Sequence, residues 1–207
     1  EGDQARGQES RQQGGWLSQR MPHTPDLDAA VATLARGGVI AYPTEAVWGL
    51  GCDPRQEDAV LRLLEIKRRP VDKGVIVVAS GLDVLQDWID IAALGSEQLT
   101  AVLAQWPGPH TWILPVTAQA PRWVTGDHDG LAVRISAHPV VAALCKAWGA
   151  PLVSTSANLA GEPPARSRAA LDPALLARID GVLDGEVGGL AQPTPIRDAR
   201  TGQILRD

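Results

Sequence analysis

Lys67-Arg68-Arg69-Pro70-Val71-Asp72-Lys73-Gly74 carries four cations within seven residues, in a chain of net charge -5 that has only three lysines. Such a cluster can hold an anionic ligand, or it can simply face the negative end of a preceding helix. Other polar groups also stand just past apolar runs. Thr44 and Glu45 follow residues 39–42, and Thr111 opens the run 111–116. Arg134 sits inside the otherwise apolar Leu131-Ala132-Val133-Arg134-Ile135-Ser136. An arginine there needs an anion, either a side chain or a ligand. Ser154-Thr155-Ser156-Ala157-Asn158 gathers hydroxyls and one amide, and in isolation reads as a turn satisfying its own backbone.

Taken together, the cations Lys67, Arg69, Lys73 and Arg134 and the polar groups Thr44, Thr111, Ser154, Ser156 and Asn158 suit one class of chemistry. Phosphoryl or nucleotidyl transfer needs positioning and charge neutralisation more than a protein nucleophile. Arginine can grip phosphate oxygens in a fork, and lysine supplies a point charge to a leaving pyrophosphate. Mg²⁺ would arrive with the nucleotide, held by phosphate oxygens and water rather than by a carboxylate cage. The common phosphate loops are absent, as are His or Cys groupings with metal-ligand spacing and a serine nucleophile elbow.

The elements that must position these groups alternate between helix and strand. A helix starts at Thr24-Pro25-Asp26, with Thr24 as cap, buries Leu27, Val31 and Leu34, and stops at Gly37-Gly38. Strand 39–42 ends at Pro43, and Gly49 and Gly51 then permit tight turns. Helix 56–66 turns Val60, Leu61, Leu64 and Ile66 inward and delivers the basic loop, whose cations are expected to be exposed and to matter little to stability. Strand 75–79 follows, then weaker helices at 82–88 and 96–105, and a turn at Trp106-Pro107-Gly108-Pro109. Strands at 111–116 and 131–136, a helix from Pro139 to about Trp148, and a short strand at 151–153 come next. His138 reads as a helix-start residue. A helix near 168–178, a strand near 180–183 and a closing strand through Ile204-Leu205 complete an α/β pattern around a mixed sheet.

The composition sets outer bounds. At 207 residues and 44% hydrophobic, the chain has room for one sizeable core. Residues 1–23 are polar, lack apolar periodicity and read as a disordered leader, leaving 24–207 as one catalytic domain. No apolar run is long enough to cross a bilayer. The negative charge argues against bulk electrostatic coating of nucleic acid. Cys52 and Cys145 lie far apart and read as buried free thiols of a reducing cytoplasm.

Tyr42-Pro43-Thr44-Glu45-Ala46-Val47-Trp48-Gly49-Leu50-Gly51, Lys67-Arg68-Arg69-Pro70, Trp106-Pro107-Gly108-Pro109, Ala132-Val133-Arg134 and Ser154-Thr155-Ser156-Ala157-Asn158, in that order, resemble the YrdC-like family in its short bacterial form. The resemblance covers about residues 24–207. It implies an α/β fold, a twisted mixed sheet with flanking helices and a large concave cavity. The implied activity joins L-threonine, bicarbonate and ATP into L-threonylcarbamoyl-AMP with release of pyrophosphate. A separate tRNA threonylcarbamoyl transferase complex would use the product to modify adenosine beside the anticodon. Residue by residue, Lys67 and Arg69 match the family's K-x-R motif and Ser156 and Asn158 its S-x-N motif, both associated with the nucleotide, and Lys67 and Arg69 are the catalytic candidates. Lys73, Thr111, Ser154 and Arg206 are further ATP contacts by the same route, while Thr44, Arg134 and Thr194 would meet threonine. Thr194 stands where the family often has Ser, Val78 where some longer relatives have His, and the C-terminal domain of those relatives is not expected.

Two other readings stay open at this stage. The cavity could bind tRNA or double-stranded RNA without ATP chemistry, or the chain could use carbamoyl phosphate.

Overall fold

The structure is a computed structural model that describes residues 25–206. The expected polar leader and the Thr24 cap lie outside the described residues. In chain order the elements are α1 (Pro25–Ala35), β1 (Ile40–Pro43), β2 (Trp48–Gly51), α2 (Glu57–Lys67), β3 (Ile76–Ala79), α3 (Ser96–Leu103), β4 (Thr111–Pro115), α4 (Arg122–Thr125), β5 (Gly130–Ile135), α5 (Pro139–Trp148), β6 (Leu152–Ser156), α6 (Pro173–Leu176), β7 (Gly181–Val182), β8 (Ile196–Asp198) and β9 (Ile204–Arg206). The strands join in one mixed sheet in the order β7-β1-β2-β6-β3-β5-β4-β8-β9. The pairs β1–β7, β3–β5 and β4–β8 are parallel and the others antiparallel.

Several expectations need correction. Residues 48–51 are not a turn but strand β2, paired with β1 and with β6. Gly51 is there for close approach: a Cβ would lie 2.5 Å from the Val153 carbonyl oxygen and 2.8 Å from Tyr42 Cε1. The hydroxyl-rich 154–156 likewise belongs to strand β6, because β2 and β3 on either side take up its backbone groups. On α2, Leu61 is 41% exposed while Leu63 is fully buried, since the inward stripe runs through 60, 63, 64 and 67. The helix expected at 168–178 is split: a 3-10 turn at Arg168–Ala170, then α6, whose N-cap Asp172 accepts a hydrogen bond from the Ala174 amide. The helix expected at 82–88 is only a 3-10 turn at Asp83–Leu85, and α3 is shorter than 96–105. The short elements α4 and β8 were not foreseen.

Two apolar layers flank the sheet. On one face α1 and α5 bury Leu27, Leu34, Val141 and Leu144 against Ile40, Tyr42, Val78 and Leu152. On the other, α2 buries Val60, Leu63 and Leu64 in a larger cluster that includes Val77, Val133, Val153 and Trp112. At about 25 cal/mol per Å² of apolar surface, these clusters are the main stabilising term. Side chains alternate across a strand, so residues two apart share a face. Val78 pairs with both Arg134 and Leu152, and two residues back Ile76 pairs with Ala132 and Ser154. The helices cover Val78 and Leu152, whereas Ile76, Ala132 and Ser154 are left as the lining of a cavity.

Candidate functional site

That cavity has a volume of about 500 Å³. It gathers the ends of separate elements: the β1–β2 connection, the α2–β3 loop, strands β4 to β6 and β8, the loop after β6, and β9. All of the sequence-derived candidates line it except Thr111. Thr111 is fully buried and lies behind Arg134, so its direct partner in the protein is that guanidinium.

The α2–β3 loop owes its shape to Arg68. Arg68 adopts a left-handed conformation (φ 50°), its amide bonding to Glu65 O and the Arg69 amide to Leu64 O. This is a Schellman closure, a position that usually takes glycine. Lys67 is thereby left as the last helical residue and is buried, at 6% exposure, contrary to the expected exposed loop cation. Its ammonium donates to the carbonyls of Ser156 and Asn158, the latter at 3.0 Å, and to Asn158 Oδ1 at 3.1 Å. Burial, aided by the Arg69 charge, lowers its pKa from the ordinary value to about 8. Asn158 Oδ1 also accepts from Ser156 Oγ at 2.6 Å, and Nδ2 donates to the Leu159 and Glu162 carbonyls. Ser156 and Asn158 therefore form a braced loop tied to the end of α2.

Arg69 turns back on its own loop. Nε and Nη2 donate to the Gly74 carbonyl at 3.2 and 3.0 Å, and Nη2 also to the Lys73 carbonyl. Lys73 itself is exposed at the rim. Arg206, on β9, donates to the Thr194 carbonyl at 2.8 Å. Burial, then the charges of Arg134 and Arg69, lower the pKa of Arg206, which places all three guanidinium groups within electrostatic reach of one another.

Arg134 is held differently. Nε donates to Glu45 Oε1 at 3.1 Å, and Nη1 to Thr111 Oγ1 at 3.0 Å and Thr194 Oγ1 at 3.2 Å. The guanidinium and carboxylate form a buried ion pair, with side chains 5% and 8% exposed. Ser136 Oγ donates to the same Glu45 oxygen at 2.6 Å. The anion that a buried Arg134 requires is thus Glu45, whose carboxylate the sequence placed just past a strand end but gave no role. Among the described residues no acceptor engages Nη2 of Arg134, so that nitrogen remains for a ligand. Thr44 Oγ1 donates to the Val47 carbonyl at 2.7 Å, leaving its lone pairs as acceptors. Segment 185–194 crosses over this corner: the Gly188 amide donates to Thr44 O and the Leu190 amide to Glu45 O. Arg166 clasps the Leu190 and Ala191 carbonyls, and the segment so anchored carries Thr194.

His138 is the N-cap of α5, as expected, with Nε2 3.0 Å from the Glu186 carbonyl oxygen. Cys52 and Cys145 are buried free thiols, as expected. Among the described residues no group of three His, Cys, Asp or Glu is arranged for a metal ion. No helix among them is long and apolar enough to cross a membrane.

The chain has close relatives. A threonylcarbamoyl-AMP synthase of Xanthomonas euvesicatoria pv. vesicatoria (strain 85-10) is 83% identical over 187 residues, 90% of this chain and 100% of that protein. One of Stenotrophomonas maltophilia (strain K279a) is 66% identical, across 87% of this chain and 97% of its own. Among solved structures, P. abyssi Sua5 complexed with L-threonine superposes with a TM-score of 0.76 at 30% identity. That match covers 83% of this chain and 50% of the Sua5 chain. The Sua5/YciO/YrdC family model, described as "Telomere recombination", matches residues 32–207. The likeness first seen in five short motifs therefore extends over nearly the whole length, and the chain belongs to the Sua5/YciO/YrdC family.

Proposed function

We propose that this chain is a threonylcarbamoyl-AMP synthase, a nucleotidyltransferase that joins L-threonine, bicarbonate and ATP into L-threonylcarbamoyladenylate and pyrophosphate. The observation that carries the reading is the meeting, in one cavity, of two separately held sets of cations: Lys67 and Arg69 at the α2–β3 loop, and Arg134 behind the β1–β2 connection, with Arg206, on the Thr194 carbonyl, in electrostatic reach of both Arg134 and Arg69. The relatives' shared name supports it.

In this reading ATP lies along the first set, with Ser154 at its floor and Lys73 at its mouth. Threonine lies at the second, its carboxylate on Nη2 of Arg134 and its polar groups toward Thr44 and Thr194. Bicarbonate loses hydroxide as water, taking up one proton, to give CO2. The threonine ammonium supplies that proton, and the amine so freed adds to the CO2 carbon and releases a further proton, forming a carbamate. A carbamate oxygen then attacks the α-phosphorus, and the bond to the bridging oxygen breaks with its electron pair leaving on pyrophosphate. Two anions must approach closely, which costs about 4 kcal/mol per unit-charge pair at 4 Å in a partly screened site. The fixed cations offset that repulsion without reorganising. Magnesium would come with ATP on phosphate oxygens. Among the described residues the cavity's one carboxylate is paired to Arg134, so phosphate oxygens and water would be the ion's main ligands. The product passes to a separate transferase acting on tRNA in the cytoplasm.

The test is pyrophosphate release from ATP, with threonine and bicarbonate each left out in turn. The reading requires release to fall to background in both omissions. Release that ignores threonine would overturn it.

A further inference from the structure

The cavity is lined by Lys67, Arg68, Arg69, Lys73, Arg134 and Arg206, and among the described residues Glu45 is the single carboxylate in its lining. A fully cationic pocket would suit two anionic ligands. Free threonine is not an anion but a zwitterion, and its α-ammonium would be repelled by every charge in that set. Glu45 is placed to correct this. One oxygen, Oε1, is occupied by Arg134 and Ser136. The other, Oε2, is buried and has no donor among the described residues. A buried carboxylate oxygen left without a donor is costly, and a ligand donor would remove that cost. His138 adds no competing positive charge near neutrality, because burial, the largest influence on it, lowers its pKa.

We infer that Glu45 is the counter-charge for the α-ammonium of the amino-acid substrate, and that it makes this end of the cavity select a zwitterion over a simple hydroxy acid anion. The inference rests on the proposed threonine site and adds a selectivity residue to it. The Arg134–Glu45 pair has no net charge, so it matches a ligand that also has none. A site built around a polar group of its substrate rejects the analogue that lacks it.

The probes are L-threonine and (R)-3-hydroxybutyrate, which differs only in lacking the amine, titrated calorimetrically into the full chain. The wild type should prefer threonine by about a hundredfold or more, and Glu45→Gln should reduce that preference below about tenfold, while Glu45→Asp keeps most of it. If the wild type shows no preference, the threonine site itself is wrong. If it prefers threonine and Glu45→Gln weakens both ligands equally, Glu45 is only structural and the inference falls. Should Glu45→Gln not fold, nitrogen NMR of [15N]threonine bound to the wild type decides the matter. A carboxylate partner keeps the bound ammonium protonated to a pH at or above that of free threonine. Deprotonation at lower pH, as surrounding cations alone would cause, contradicts it.

Discussion

On the β6 side of the cavity Lys67 and Arg69 spend donors on main-chain carbonyls of Ser156, Asn158, Lys73 and Gly74; on the β5 side Arg134 is held by the side chains of Glu45, Thr111 and Thr194. The first arrangement uses a cation to shape a loop, so its charge and the loop geometry are one device. The second uses a buried frame to aim one nitrogen of a guanidinium. A loop braced in this way can adjust around a long flexible triphosphate, whereas a framed guanidinium suits a small, rigid carboxylate. The two halves should therefore fail differently when altered.

The largest effect is expected at Lys67. Lys67→Ala removes the ammonium that donates to the Ser156 and Asn158 carbonyls and to Asn158 Oδ1, so it should cost about 2 kcal/mol of stability as well as at least a hundredfold in turnover. Thermal unfolding and steady-state kinetics check this, and an unchanged melting temperature would show that Lys67 does not brace the loop. Next, Thr111→Val removes an acceptor of Arg134 Nη1 without touching the cavity surface. It should raise the KM for threonine about tenfold and leave that for ATP within about twofold. Equal changes in both would erase the distinction between the two sides.

A pH effect follows from Lys67. In the free protein it sheds its proton near pH 8, so ATP affinity should be flat below that value and weaken above it, by at most about tenfold per pH unit. The unfolded chain keeps that proton to the ordinary, higher lysine pKa. Between the two values the unfolded state binds more protons, and this residue's contribution to stability rises with pH. Titration of ATP binding from pH 7 to about 9.5 reads the first effect. The smallest change is expected for Arg68→Gly. It relieves the left-handed conformation and should stabilise by up to about 1 kcal/mol, with turnover within about twofold.

What could be read in the sequence follows the reach of the interactions. The run 131–136 announced both strand β5 and the need of Arg134 for an anion, because burial of an unpaired guanidinium is prohibitive. Which anion was not legible, since Glu45 lies 89 residues away and only the pairing of β1, β2, β6, β3 and β5 brings it near. Lys67 lines the cavity but is buried where the sequence suggests an exposed cation, because the carbonyls that bury it lie equally far along the chain. Strand β2 was missed since glycine is poor in strands on its own, and its reason here is the approach of Val153 and Tyr42. Arg68 alone of its cluster answered to the helix-end reading, though through its backbone rather than its charge. The family resemblance supplied what these local signals could not, including Thr194 and Arg206.

The division of the cavity is tested most directly by calorimetric binding of ATP and of threonine, separately, to Arg69→Ala and to Arg134→Ala. Arg69→Ala should weaken ATP at least tenfold and leave threonine within about twofold, and Arg134→Ala should do the reverse. Loss of both ligands in either variant, with the fold intact, would contradict two separately built sites.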